Sequence, residues 1–269
     1  MRKTILSLVI IAFAFFSAGC DKLKSRDNLN KGVQAYKNAK YQEAVDYFKK
    51  AIELDPTNSN AKLYLATAYM IQYIPGADSP ENNKMAEAAF NGFQDVLQQE
   101  PKNALAINSI ALLYFNQKKM KEAEEWYKKL IDVEPANKEA YYTLGVIAWT
   151  RAYQDRMTAR AKMGMKPEDP GPLKDKKVRV ELAQKNMGLI EEGIKHLEKA
   201  IAIDKEYDDA MAYLNLLHRE RADLMDTAEA YKKDVAIADE WVQKTLDTKK
   251  AKAAKAAAAA AAGIHQEKK

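Results

Sequence analysis

Two stretches decide the fold: Glu43-Ala44-Val45-Asp46-Tyr47-Phe48-Lys49-Lys50-Ala51-Ile52-Glu53-Leu54-Asp55-Pro56 and Glu122-Ala123-Glu124-Glu125-Trp126-Tyr127-Lys128-Lys129-Leu130-Ile131-Asp132-Val133-Glu134-Pro135. A weaker copy closes at Pro101, 34 residues before Pro135. A period of this size means stacked units that bury one shared core and cannot stand singly. Gly32, Ala44 and Ala51 let two helices approach closely, while Tyr47, Phe48, Trp126 and Tyr127 fill the space between successive pairs. Pro56, Pro101 and Pro135 cannot continue a helix and end each second helix.

These residues resemble the tetratricopeptide repeat family, whose unit is a pair of antiparallel helices. Gly32, Ala44, Phe48, Ala51 and Pro56 stand at the family's positions in a first repeat, 25–58. Ala111, Tyr114, Ala123, Tyr127 and Pro135 do so in a third, 104–137, where Leu130 replaces the usual Ala. The resemblance implies an all-α, right-handed superhelical solenoid. A second repeat, 59–103, carries Ala61, Leu65, Ala66 and Tyr69. It is then interrupted by a loop at Tyr73-Ile74-Pro75-Gly76-Ala77-Asp78, and Ser79-Pro80 restarts the helix.

A fourth repeat, 138–207, is interrupted more heavily. Its helical pattern continues through Met157 and Ala161, turns at Pro167-Glu168-Asp169-Pro170-Gly171-Pro172, and resumes from Val178. Both helices are expected to run on as a long hairpin. About 18 extra residues per arm, at about 1.5 Å each, would project roughly 27 Å beyond the stack. Residues 208–248 supply a fifth first helix and a C-terminal capping helix opened by Asp226-Thr227-Ala228-Glu229, which resembles a capping box. The remainder, 249–269, is Lys/Ala-rich. It is expected to be a solvated helical tail, or a basic arm for an acidic envelope polymer or lipid surface.

The amino terminus reads as a secretory signal: basic Arg2-Lys3, an apolar run from Ile5 to Phe16, then small residues before Cys20. The apolar run is too short to span a bilayer comfortably. Ser17-Ala18-Gly19-Cys20 resembles the lipobox of bacterial lipoproteins, with Ser17 in place of the usual Leu. That resemblance implies removal of 1–19 and lipidation of Cys20, the only cysteine. The expected location is the extracytoplasmic face of a bacterial cell membrane, inner or outer.

Composition narrows the function. The chain of 269 residues is 47% apolar and 30% charged, too apolar for general disorder. Net charge is +5, or +3 without the signal, which gives little support for nucleic-acid binding. His196, His218 and His265 stand in no metal spacing, and no phosphate loop or nucleophile elbow is present. No enzyme activity, metal or cofactor is expected.

Binding is the remaining role. In the family the first helices line a concave groove. The resemblance implies that Tyr36, Leu63, Met70, Asn108, Leu112, Phe115, Tyr142, Val146, Trp149 and Arg219 face it. Either these residues anchor a peptide or amphipathic helix of a partner, or an internal segment such as the C-terminal helix fills the groove and they are core. The Lys/Asn set that holds a C-terminal carboxylate in some relatives is missing. The hairpin is a second candidate, with ten basic and five acidic side chains over 150–188, among them Arg151, Arg156, Arg160, Lys176, Lys177 and Arg179. It is either a solvated helical pair or a basic projection toward an acidic partner. The Tyr73–Gly76 loop is a third, its apolar pair expected to tuck against the next helix. The combined expectation is a lipid-anchored scaffold or adaptor that binds protein partners in cell-envelope assembly. A binder of a small ligand or polymer, or a self-assembling structural protein, is the alternative.

Overall fold

The computed structural model describes the backbone of residues 2–266 and the side chains of residues 20–260. The side chains of the signal-like segment through Gly19 therefore lie outside the described residues. Among the described residues the chain is all-α, with ten helices and no strand. It divides into two compact units, residues 1–126 and 127–269.

The first unit holds α1 (Arg2–Lys37), α2 (Tyr41–Leu54), α3 (Ser59–Gln72), α4 (Pro80–Gln99) and α5 (Ala104–Asn116). Consecutive helices pack as antiparallel neighbours. Ala44, Val45, Phe48 and Ala51 line the buried face of α2 at helical spacing. A Cβ on Gly32 would run into the Phe48 ring, so the small residue here is a condition of the α1–α2 approach. One core cluster gathers Ala35, Val45, Phe48 and Ala68, and a second gathers Phe93, Val96, Ile110 and Leu113.

The prolines end helices as expected, and an unforeseen residue starts the next ones. Asn58, Asn103 and Asn137 each stand two places after a proline and accept the amide of Ala61, Ala106 or Ala140 at 3.1, 3.0 and 2.9 Å. In two of these turns the same Asn donates its amide to the preceding acid, Glu100 or Glu134, at 2.7 Å. Each Pro-x-Asn therefore closes one helix and caps the next.

Helix α6 (Met120–Val133) straddles the boundary between the units. The second unit continues with α7 (Lys138–Lys162), α8 (Lys176–Ile203), α9 (Asp208–Ala222) and α10 (Ala228–Gln266). Its core combines Ala148, Ala152, Ile190, Leu197, Leu214 and Leu217. Gly145 and Gly193 mark close approaches of α7 and α8: a Cβ on either would meet Leu197 or Ala148. Thr227, not Asp226, caps α10 by accepting the amide of Ala230 at 3.1 Å. Helix α10 runs through 248 without a break, and Lys252 and Lys255 pair with Asp208 and Glu206. The early tail is thus attached to the α8–α9 turn, and residues 256–260 are exposed.

The long insertion departs from expectation. The helices do run on, to 25 and 28 residues, but they do not project as a free hairpin. Gly164, at φ 65, follows the end of α7, and residues 163–175 fold over the α9–α10 turn. The Leu173 amide donates to the Asp223 carbonyl at 3.0 Å, and Leu173 and Met165 are buried. One contribution is apolar, since Met165 and Leu173 join the core cluster of the second unit.

Glycine positions give a test of opposite sign. Gly145→Ala should destabilise by about 1–3 kcal/mol through overpacking against Leu197. Gly188→Ala, in α8 with open space around it, should stabilise by about 0.5–1 kcal/mol. Thermal melts of the two variants check this.

Candidate functional site

In the second unit the first helices α7 and α9 bring an aromatic wall together. Tyr142 stands edge-to-face with Tyr213 at 5.5 Å and beside Tyr207 at 5.2 Å. Trp149, two turns along α7, meets Tyr213 at 5.5 Å and Tyr153 at 5.0 Å. Tyr142 and Trp149 are half-buried, Val146 between them is buried, and Tyr153 is exposed. Burial, then the neighbouring Tyr213 and Asp209, pushes the Tyr142 phenol well above its ordinary value. Burial likewise pushes the Tyr207 phenol up to about 12. Both phenols are neutral hydrogen-bonding groups at any physiological pH.

Sequence reading named Tyr142, Val146 and Trp149 for this wall and missed Tyr207 and Tyr213. Tyr213 fell outside the family positions used for the first helices. Its signal was spacing: it lies five residues after the Asp208 start of α9, and Tyr142 lies four after Lys138. Arg219 lies farther along α9 and is tied to Asn215 at 2.9 Å and to Asp239 of α10 at 2.5 Å. Helix α10 packs along α9, and its Trp241 packs against the same core cluster as Tyr142, Trp149 and Tyr213.

In the first unit Tyr36 is half-buried and meets Tyr41 edge-on at 5.5 Å. Leu63 and Met70 pack partly against the second core cluster. Leu112 and Phe115 are half-buried on α5 and Asn108 is exposed. Apart from Asn108, these side chains are half-buried. In the Tyr73–Gly76 loop, Tyr73 is tucked into that core, whereas Ile74 is 64% exposed.

The basic hairpin is largely turned inward. Arg156 grips Glu220 with two hydrogen bonds, Nε to Oε2 at 2.6 Å and Nη2 to Oε1 at 2.9 Å, and reaches Asp223 at 3.0 Å. Arg160 grips Asp223 through Nε at 2.8 Å and Nη2 at 3.1 Å, and donates to the carbonyls of Lys166 and Asp169. Arg160, Glu220 and Asp223 are each 2% exposed. Arg179 is buried too, donating to the Leu173 carbonyl at 2.6 Å. Arg151 is half-buried, and only Lys176 and Lys177 of the six named cations are exposed. A free basic projection is thus replaced by a buried ion cluster, because Glu220 of α9 and Asp223 at its C-terminal end meet the arm where it crosses.

Burial raises the Glu220 carboxyl, against the pull of Arg156. For Arg156, burial opposes the charge, but Glu220 and Asp223 hold it above its ordinary value. The two-point contact is the geometry of a charge-assisted pair. The Arg156 guanidinium also lies 5.5 Å from the Tyr153 ring centroid, which links the cluster to the aromatic wall. Nearby, His218 and Arg221 converge on Asp234 at 3.6 and 2.6 Å. Burial pushes that carboxyl up, and hydrogen bonds from His218 and Arg221 pull it further down, below its ordinary value. His218 is thus a partner in a structural pair. No group of three or more His, Cys, Asp or Glu among the described residues could hold a metal ion.

With this geometry in view, the comparisons with known proteins are consistent. The tetratricopeptide repeat family matches at residues 29–58 and again at 104–137. The chain therefore contains tetratricopeptide repeats at these two stretches. The solved structure of MamA is similar over 86% of this chain and 94% of its own, with 16% identity and a TM-score of 0.57. YrrB, described as a tetratricopeptide protein with an unusual peptide-binding site, is similar over 82% of this chain and 84% of its own, with 15% identity and a TM-score of 0.53. At these identities the likeness concerns the fold. The mitochondrial import receptor subunit TOM70 of Homo sapiens is 30% identical over 106 residues, 39% of this chain. The chain spans 17% of that relative's length.

Two expected outcomes follow from the charges. Asp223→Ala should lower stability by about 3–5 kcal/mol in a denaturant titration, since it strands the buried Arg160. Asp234 has a depressed folded value, so its contribution is complete above the ordinary 3.8 and lost as pH falls through the folded value. Asp234→Asn should therefore be less stable at neutral pH, with a shallower loss of stability below about pH 4.

Proposed function

We propose that this protein is a lipid-tethered scaffold that captures protein partners at the extracytoplasmic face of a bacterial membrane. Tetratricopeptide repeats support a protein–protein interaction role. The observation that carries the reading is the aromatic wall on α7 and α9, with Tyr142, Trp149 and Tyr213 half-buried and Tyr153 exposed at its edge. Aromatic side chains held rigid by one another present large apolar area at little entropic cost, as interface anchors do. An extended peptide or the apolar face of an amphipathic helix fits such a wall. The protein acts by positioning its partners, without catalysis.

The tether reading rests on the sequence of Met1 to Cys20, with small residues before a lone cysteine. Cys20 is exposed at the start of the described side chains. No helix among the described residues is long and apolar enough to cross a membrane. Acylation at Cys20 would supply the membrane attachment, since each buried CH₂ contributes about 0.8 kcal/mol.

In-cell photo-crosslinking from Tyr153, exposed at the edge of the wall, tests the capture. A discrete envelope protein should be trapped, and Trp149→Ala should abolish the adduct. That variant should lower Tm by only about 2–8 °C, the loss of one aromatic cluster contact set. Adducts only within the chain, or a wild-type yield from Trp149→Ala, would overturn the wall as the capture site. Cys20→Ala should release the protein from the membrane fraction.

A further inference from the structure

The interruption of the second repeat builds a cavity that the repeat architecture does not require. The loop between α3 and α4 is held by one buried side chain, Asn82. Its amide donates to the carbonyls of Ile74 at 2.9 Å and Ala77 at 2.7 Å, and its oxygen accepts the Ile74 amide at 2.7 Å. So fixed, the loop borders a cleft of about 610 Å³ that also involves α4, the end of α5 and the α5–α6 turn. That volume lies within the range of small-molecule sites. Gly76, Ala77 and Ala86 line it with little side chain.

The lining is ordered by chemistry. Phe90 and Tyr114 stand edge-to-face at 5.4 Å and, with Leu113, supply an apolar surface. Asp78 of the loop and Glu87 of α4 supply negative charge. Lys118 and Lys119 of the α5–α6 turn supply positive charge, and Lys119 lies 5.8 Å from the Tyr114 ring centroid. Asp78 accepts only a 3.3 Å contact from Asn83. Among the described residues Glu87 and Lys118 have no ion-pair partner. Lys118 holds the left-handed conformation at φ 58, where the equivalent α1–α2 turn places Ala39 at φ 57. The same turn geometry therefore carries a cation at the cleft and a methyl group elsewhere.

From this arrangement we propose that the cleft binds a small zwitterion with an aromatic or branched apolar group, of the amino-acid or short-peptide class. Its carboxylate pairs with Lys118 and Lys119, its ammonium group with Asp78 and Glu87, and its apolar part rests on Phe90 and Tyr114. Charges of both signs on different elements of one cleft suit a dipolar molecule and disfavour a ligand of single charge. The site lies wholly in the first unit and is independent of the aromatic wall.

The test is a saturation-transfer NMR titration of the full-length protein with four probes: the dipeptide Ala-Phe, L-phenylalanine, 3-phenylpropionate and 2-phenylethylamine. The two zwitterions should bind, and the two single-charge analogues should bind at least tenfold more weakly. Glu87→Gln and Lys118→Ala, both at exposed positions, should each weaken the dipeptide at least tenfold with Tm unchanged. No binding at millimolar probe, equal binding of all four probes, or indifference to both substitutions would overturn the proposal.

Discussion

Two arginines of an inserted helical arm reach two acids at the end of α9, and the second unit depends on that meeting. Arg156 and Arg160 share Glu220 and Asp223, and three of the four side chains are almost fully buried. Ion pairs so deep cost several kcal/mol per ion in desolvation, and attraction offsets this only when geometry is good and other hydrogen bonds are satisfied. Both conditions hold, since Arg160 also satisfies two backbone carbonyls of the loop it organises. What the cluster contributes most clearly is specificity of docking: any other placement of the arm would leave charges stranded.

That docking has consequences for the wall. Trp149 and Tyr153 lie on α7 just before Arg156, so fixing Arg156 against α9 sets the approach of α7 to Tyr213. The repeat spacing puts aromatic residues on the first helices, and close glycine contacts bring α1 to α2, α3 to α4 and α7 to α8. The ion cluster then fixes how the last two first helices in the second unit share an aromatic surface. The fourth repeat is thus lengthened without losing its pairing, because the extra residues find a partner within the chain.

Legibility followed the range of the interaction. Helix pairs, their ends and the loop at 73–78 were readable, because small residues, prolines and a Ser-Pro start act within a few residues. The Pro-x-Asn caps are equally local and follow the same rule, the proline ending one helix and the asparagine starting the next. The path of the insertion was not readable. Arg156 and Glu220 are 64 positions apart, and an arginine on a helix has the same local pattern whether it faces water or a buried carboxylate. The aromatic character of the wall was visible. Its partial burial was not, since that depends on Tyr207 and Tyr213 arriving from a different helix.

The most direct test of this account is a pulsed electron-spin distance measurement between labels on the insertion loop and on α10, at Glu168 and Lys232, in a chain with Cys20 replaced. A single narrow, short distance that broadens in Asp223→Ala is the predicted result, because the loop is docked on the α9–α10 turn through the ion cluster. A broad, long distribution in the otherwise native chain would mean that the arms project freely, and would contradict the central claim.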